Sequence, residues 1–259
     1  MIDSQSASDF LYAAWQEGRA VPELPAPLRP TTRAEGYAIQ ALIEKRSTFP
    51  LAGWKIAATS DAGQKHIGVD GPLAGRLLRE RMLAEGAALP LGHCRMRVIE
   101  AEFAFRMGRT LVPRGTLYSI DEVRDAVAAL HLAIEIPDSR YEVFTKVGAS
   151  QLIADNGCAH WFVLGPEAPA RWRGLDLAAH KVIASIAGGE SRDGVGANVL
   201  GGPLIALTWI ANELSSIGAP LAQDQVVITG TCIAPLPVAV GNRVTVDFGA
   251  LGRVSVNFT

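Results

Sequence analysis

The chain has 259 residues; 49% are hydrophobic and 19% charged, and 24 Lys and Arg against 26 Asp and Glu leave a formal charge of −2. This balance excludes a disordered chain, which needs low hydrophobicity and high net charge, and it offers no basic footprint for nucleic acid or an anionic membrane. Cys94, Cys158 and Cys232 are odd in number, far apart and form no CxxC pair, which argues against a zinc knuckle or a disulfide framework.

The first twenty residues lack the basic and apolar regions of a secretory signal. The longest apolar stretch, Val199 to Leu214, is broken by Gly201, Gly202 and Pro203 and carries Asn212 and Glu213 near its end. It falls short of the ~18 consecutive apolar residues a span needs and predicts a buried helix. The expectation is a soluble cytoplasmic protein with no membrane partner.

In chain order, Phe10, Leu11, Ala14 and Trp15 recur at helical spacing and predict a helix over 4–20. The proline-dense connector 21–30 disfavours helix. Thr32 caps a second predicted helix, from about Arg33 to Lys45, with Tyr37, Ile39, Leu42 and Ile43 turned to a core. Residues 1–50 therefore read as a small helical N-terminal lobe and 51–259 as a β-rich domain. Within the latter, Gly53–Ala57, Val98–Phe105, Ala133–Ile136 and His160–Gly165 read as strands, and 177–187 and 226–229 as extended. A helix capped by Ser119 is expected over Asp121–Leu130, and the one long apolar helix over Pro203–Ile217. Val244–Phe248 and Val254–Phe258 read as a hairpin around Gly249 and Gly252. Many short strands with few helices predict an α+β core, not a doubly wound sheet.

The chemistry-bearing residues are charges inside apolar runs. In VIEAEFAF, the two-residue period of a strand turns Glu100 and Glu102 to one face. Two like charges ~5 Å apart at an effective dielectric near 20 repel by roughly 3 kcal/mol, so one is protonated or a cation sits between them. Oxygen-only ligands select a hard ion such as Mg²⁺, Mn²⁺ or Ca²⁺. Alone, such a pair is more often a solvent-facing strand edge. Glu135, isolated in LAIEIPD, shifts the balance, because a lone buried glutamate is costly and a paired strand would complete a three-carboxylate set. His131 shares that face by parity and reads as a core histidine. Lys55 in GWKIAA is a buried-lysine candidate suited to acid–base work or, equally, a snorkelling side chain. Gly194–Asn198 matches neither a dinucleotide fingerprint nor a P-loop. At Thr229–Cys232, hydroxyls and amides could cradle a carboxylate.

The ordered series GWKIA, GVDGPLAGRL, IEAEFAF, AIEIPDSR, ADNGCAHWFVLG, GANVLGGPLIALTWIANEL, VVITGT and VDFGALGRVSVNF resembles the 2-oxopent-4-enoate hydratase and 4-oxalocrotonate decarboxylase family of the fumarylacetoacetate hydrolase superfamily. The resemblance runs from about Leu51 to the C-terminus. It implies a mixed β-sheet roll of the superfamily's C-terminal type with a small helical N-terminal region. It implies Mg²⁺ or Mn²⁺ held by Glu100, Glu102 and Glu135, with Lys55 as the catalytic lysine. Substrate contacts would fall on Lys55, Leu73, Asn156, Gly157, Cys158 and Thr231. The implied activity is hydration of a 2-hydroxy-2,4-dienoate to a 4-hydroxy-2-oxo acid in aromatic-compound degradation, by a homo-oligomer acting on a small 2-oxo acid. Leu73 stands where hydratases of the family often carry an acidic residue, and decarboxylases tend to be apolar there. A 2-oxo-3-hexenedioate decarboxylase is therefore the alternative. An acylpyruvate C–C hydrolase and a non-catalytic 2-oxo-acid binder are the remaining readings.

Overall fold

Side-chain caps set where the helices begin. Asp3 accepts from the Ser6 amide and opens α1 (Ser4–Glu17), while Thr32 and Glu35 form a reciprocal capping box that opens α2 (Arg33–Ala41). The computed structural model describes residues 2–259. The chain continues through β1 (Gly53–Ala57), α3 (Asp61–Ile67), β2 (Leu73–Leu77), β3 (Met82–Ala84), β4 (Ala88–Leu89) and β5 (Val98–Met107). Then follow α4 (Ile120–Asp125), β6 (Val127–Ile136), α5 (Gly148–Ala154), β7 (Trp161–Glu167), β8 (Lys181–Ile186) and β9 (Ser191–Val195). The last elements are α6 (Pro203–Ser216), β10 (Val226–Thr231), β11 (Leu236–Pro237), β12 (Arg243–Asp247) and β13 (Arg253–Phe258). Among the described residues no helix is long and apolar enough to cross a membrane.

The first helix stops at Glu17 and the second at Ala41, where a 3-10 turn over Leu42–Arg46 replaces its expected end, and two further boundaries move. Ser119 does cap a helix, again through a capping box with Glu122, but it stops at Asp125, and Val127–Leu130 begin β6. Their apolar residues serve a strand buried on both faces, whose unbroken run imitates a helix stripe. At 177–180 the chain turns before β8 starts at Lys181.

The main sheet runs β2-β1-β10-β5-β6-β7-β3, with β11 added to β5. It is mixed: β1–β10 and β3–β7 are parallel, the other pairs antiparallel. Its edge strands β2 and β3 are joined only by residues 78–81, so the sheet curls on itself. Inside the curl lie Ala52, Leu77, Ala104, Ala133, Phe162, Val226 and Ile228, a small cluster rich in alanine. Outside, Ile99, Ala101, Phe103, Phe105, Leu130, Leu132 and Ile134 meet the second sheet, β4-β13-β12-β8-β9, and α6. Phe103 is fully buried there, edge-on to Phe248 at 5.2 Å between ring centroids.

The N-terminal helices pack through Ala7, Leu11, Ala14 and Ile39 onto Tyr141 and Ala154. Gln40 Nε2 donates to Ala74 O (2.8 Å) and Ile153 O (2.9 Å), tying α2 to both β2 and α5. Truncating Phe103 would open a void between two sheets that cannot collapse around it. Phe103→Ala is expected to lower the unfolding free energy by about 3–5 kcal/mol, read from denaturant midpoints.

Candidate functional site

Strand register assembles the charged cluster. Across β5–β6, Glu100 stands opposite Glu135 and Glu102 opposite Ala133. The two-residue period then places all three carboxylates on the inner face of the curl. Lys55 reaches that face through β10, since it pairs with Ile228 and Ile228 pairs with Ala104. Carboxylate oxygens of Glu100, Glu102 and Glu135 lie within 4.8 Å of one another. Glu102 and Glu135 are fully buried, and Glu100 is half-buried.

Lys55 Nζ lies 3.1 Å from Glu135 Oε1, an ion pair off the line of a hydrogen bond, and donates to Gly157 O at 3.0 Å. Its stem has room because Gly75 faces it on β2. A Cβ at Gly75 would stand 2.4 Å from Asn156 O and 2.9 Å from Lys55 Cδ. On the other side, the β10–β5 register shifts between Ile228 and Thr231, and Gly230 adopts φ 106°. The shift aims the Gly230 amide at Glu102 Oε2, which accepts at 2.6 Å. The cradle expected at Thr229–Cys232 thus holds the protein's own carboxylate.

Burial pushes all three carboxyls above the usual carboxylate range. At Glu102 the neighbouring Glu135 and Glu100 charges add to the burial effect. At Glu100 burial outweighs the pull of Lys55, and at Glu135 the same contest leaves the carboxyl at about 7. For Lys55 burial alone would push the ammonium down, but Glu135, Glu100 and Glu102 together hold it above the ordinary lysine value.

Glu102 Oε1 and both Glu135 oxygens are buried without a hydrogen-bond partner. Fully ionised, three carboxylates and one ammonium carry a charge of −2, which one divalent cation neutralises. Unpartnered oxygens, charge and an oxygen-only donor set all fit a hard dication.

A left-handed turn closes the site. Asn156, Gly157 and Cys158 have φ of 57°, 58° and 61° in succession, a conformation that costs roughly 1–2 kcal/mol for each non-glycine residue. Buried Arg140 holds its two ends: it pairs with the Asp155 carboxylate and donates to Asp155 O, Asp138 O and Ala159 O. Ser139 Oγ donates to the same Asp155 carboxylate at 2.7 Å. The Asn156 side chain fixes the middle by exchanging hydrogen bonds with the backbone of Arg76 (2.6 and 2.8 Å). The turn thereby presents Gly157 O to Lys55.

Lys55, Glu100, Gly157, Cys158 and Thr231 line a single cleft of about 690 Å³. Leu73 and Asn156 do not line it: Leu73 is fully buried in the core and Asn156 is engaged with β2. Burial, then the Asp155 charge, pushes the Cys158 thiol up to about 12. His131 shares the inner face, opposite Ala104, and its Nδ1 meets Gly165 O at 3.1 Å. Gly194 and Gly196 serve close backbone contact, since Cβ atoms there would strike Cys232 O and Leu177 O. His66, Met96, Val98 and Phe144 also line the cleft. Of these only Val98 carried a signal, its parity with Glu100; the others arrive from α3 and loops.

Residues 80–259 match the family model described as fumarylacetoacetate (FAA) hydrolase C-terminal. Over 257 residues, covering 98% of this chain and 94% of the relative, the sequence is 32% identical to the TodF product hydratase of Pseudomonas putida. It is also 32% identical to 2-keto-4-pentenoate hydratase 1 of Dechloromonas aromatica, with coverage of 100% and 98%. The solved structure of 4-oxalocrotonate decarboxylase from Pseudomonas putida G7, complexed with magnesium and adipate, superposes with a TM-score of 0.89 at 27% identity, covering 99% of this chain and 97% of that one.

Replacing one carboxylate should separate repulsion from ligation. In Glu102→Gln the amide oxygen can still accept from Gly230, while one buried charge is lost. The metal-free variant is expected to gain stability on the order of 1 kcal/mol. The rise in melting temperature that Mg²⁺ or Mn²⁺ gives the parent protein should shrink or vanish, as a thermal melt with and without the ion would read.

Proposed function

The chain belongs to the 2-keto-4-pentenoate hydratase and 4-oxalocrotonate decarboxylase family of the fumarylacetoacetate hydrolase superfamily, and from that membership we propose that it is a divalent-metal-dependent hydratase. It adds water to a 2-hydroxy-2,4-dienoate to give a 4-hydroxy-2-oxo acid in aromatic-compound degradation. The observation that carries this reading is the converging trio of carboxylates, three of whose buried oxygens lack a hydrogen bond, beside one lysine at the inner end of a cleft.

Glu100, Glu102 and Glu135 would hold Mg²⁺ or Mn²⁺. Bound there, the ion supplies Lewis-acid polarisation of a 2-oxo acid's carboxylate and 2-oxygen. Lys55 moves the proton: Nζ sits between Glu135 and Gly157 O, within reach of the cluster, and as an ammonium it gives a proton to the carbon chain and takes one back from the 2-hydroxyl as the dienol becomes a ketone. Gly75 and the left-handed turn keep Nζ in place, so proton transfer needs no search by a flexible side chain. Thr231, whose hydroxyl donates to Ile233 O, presents a polar edge to substrate beside the cluster.

A decarboxylase of a 2-oxo-3-hexenedioate is the second reading, favoured by the fold match to a solved decarboxylase. We also propose that the enzyme is a homo-oligomer, since Val112, Leu117 and Ile120 expose apolar surface within one short segment.

With Mg²⁺, loss of the dienoate absorbance together with formation of the hydroxy acid is expected. Release of CO₂ from the dienoic diacid, with no hydration of the monoacid, would reverse the order of the two readings. Lys55→Ala should bind Mn²⁺ with affinity within a few-fold of the parent yet lose about 10²–10⁴ in kcat; retained turnover would remove Lys55 from the chemistry.

A further inference from the structure

The cleft has its acidic and basic groups at one end, and the rest of its wall is mostly apolar, with Thr59, Ser60, His66 and Asn198 as neutral polar residues. Among the described residues that line it, Lys55 and Glu100 are the only lysine, arginine, aspartate or glutamate, and both belong to the carboxylate end. From there the wall continues along β5: Val98 lies two residues before Glu100 on the same face, about 7 Å further out by strand geometry, and Met96 lies beyond it. Ile233 borders the same space. The facing wall is Ile67, at the end of α3, and Phe144. His66 is the one imidazole there, its ring edge-on to Phe144 at 6.3 Å. No arginine lines the cleft, so nothing offers the two-pronged grip that a second carboxylate takes from guanidinium.

Size points the same way. At about 690 Å³ the cleft falls within the ~300–1,000 Å³ typical of sites for drug-sized ligands, far beyond what a five-carbon acid fills. A charged tail among Val98, Met96, Ile67 and Phe144 would give up its hydration with no lysine or arginine to meet it, whereas a hydrocarbon tail gains from every methylene it buries.

Resting on the dienoate reading above, we propose that the substrate is a 2-hydroxy-2,4-dienoate whose far end carries an apolar alkyl or aryl group, and that Met96, Val98, Ile67 and Phe144 select that group against a second carboxylate. The head of the acid sits at Lys55 and the glutamates, and the tail runs out between β5 and α3.

Calorimetry tests this without requiring turnover. The Mg²⁺-loaded protein at pH 8 is titrated with 2-oxobutanoate, 2-oxohexanoate and 2-oxoadipate, which share the 2-oxo-acid head and differ in the tail. Binding is expected to tighten about fourfold for each added methylene, and 2-oxoadipate, of equal chain length, is expected to bind at least tenfold more weakly than 2-oxohexanoate. Ile67→Arg, a change at a partly exposed helix end, should reverse that last order, with an unaltered melting temperature showing that the fold is kept. Equal or tighter binding of 2-oxoadipate by the parent protein, or affinity indifferent to tail length, would overturn the inference. In parallel, kcat/KM is measured for 2-hydroxypenta-2,4-dienoate and its 5-alkyl homologues. No hydration of any of them, with the binding order kept, would sink the hydratase reading and still support the apolar tail.

Discussion

Three acidic side chains converging beside a single lysine, two of them fully buried, constrain everything else in this molecule. Glu102 and Glu135 are out of reach of water, and most of their oxygens have no hydrogen bond. Such a cluster persists only if the surrounding structure holds it and if something of opposite charge relieves it. Lys55 supplies part of that relief and the Gly230 amide a little more. The remaining deficit is the affinity with which the site can take a dication. Stability has been traded for a preformed ligand set, and the alanine-rich packing of Ala52, Ala104 and Ala133 behind it keeps the curl narrow enough for the carboxylates to converge.

The lysine is controlled as closely as the carboxylates. Its stem lies in a channel that exists because Gly75 has no side chain, and its nitrogen is docked on a carbonyl displayed by three successive left-handed residues. That turn is costly, and a buried arginine–aspartate pair with several backbone bonds fixes it. Arg140 and Asp155 therefore act on the site without touching the cleft.

The charges were legible in the sequence because an isolated acid or base in an apolar run has few innocent explanations. Parity alone put Glu100 with Glu102, and the β5–β6 register then brought Glu135 opposite Glu100. The helix caps at Thr32 and Ser119 were legible for the same local reason. The strand at Val127–Leu130 was not, since residues buried on both faces lose the alternation that marks a strand. Nor were α3, α5 and the cleft wall to which α3 contributes: His66 and Phe144 meet only in three dimensions. Leu73 and Asn156 stand beside the site in sequence and in space, but their side chains face the core and the neighbouring strand. Sequence proximity to a motif does not report the direction of a side chain.

The strand order has a consequence for biogenesis. β10, from residue 226 onward, lies in the middle of the main sheet, between β1 and β5. A ribosome making this chain releases both neighbours long before the strand that must separate and join them. Until then their edges are open, and the apolar face meant for the interior is exposed to whatever the nascent chain meets. Pairings this distant in sequence are slow to form and invite aggregation. Glu102 therefore waits for Gly230, and the acidic trio becomes a binding site only after β10 has been made.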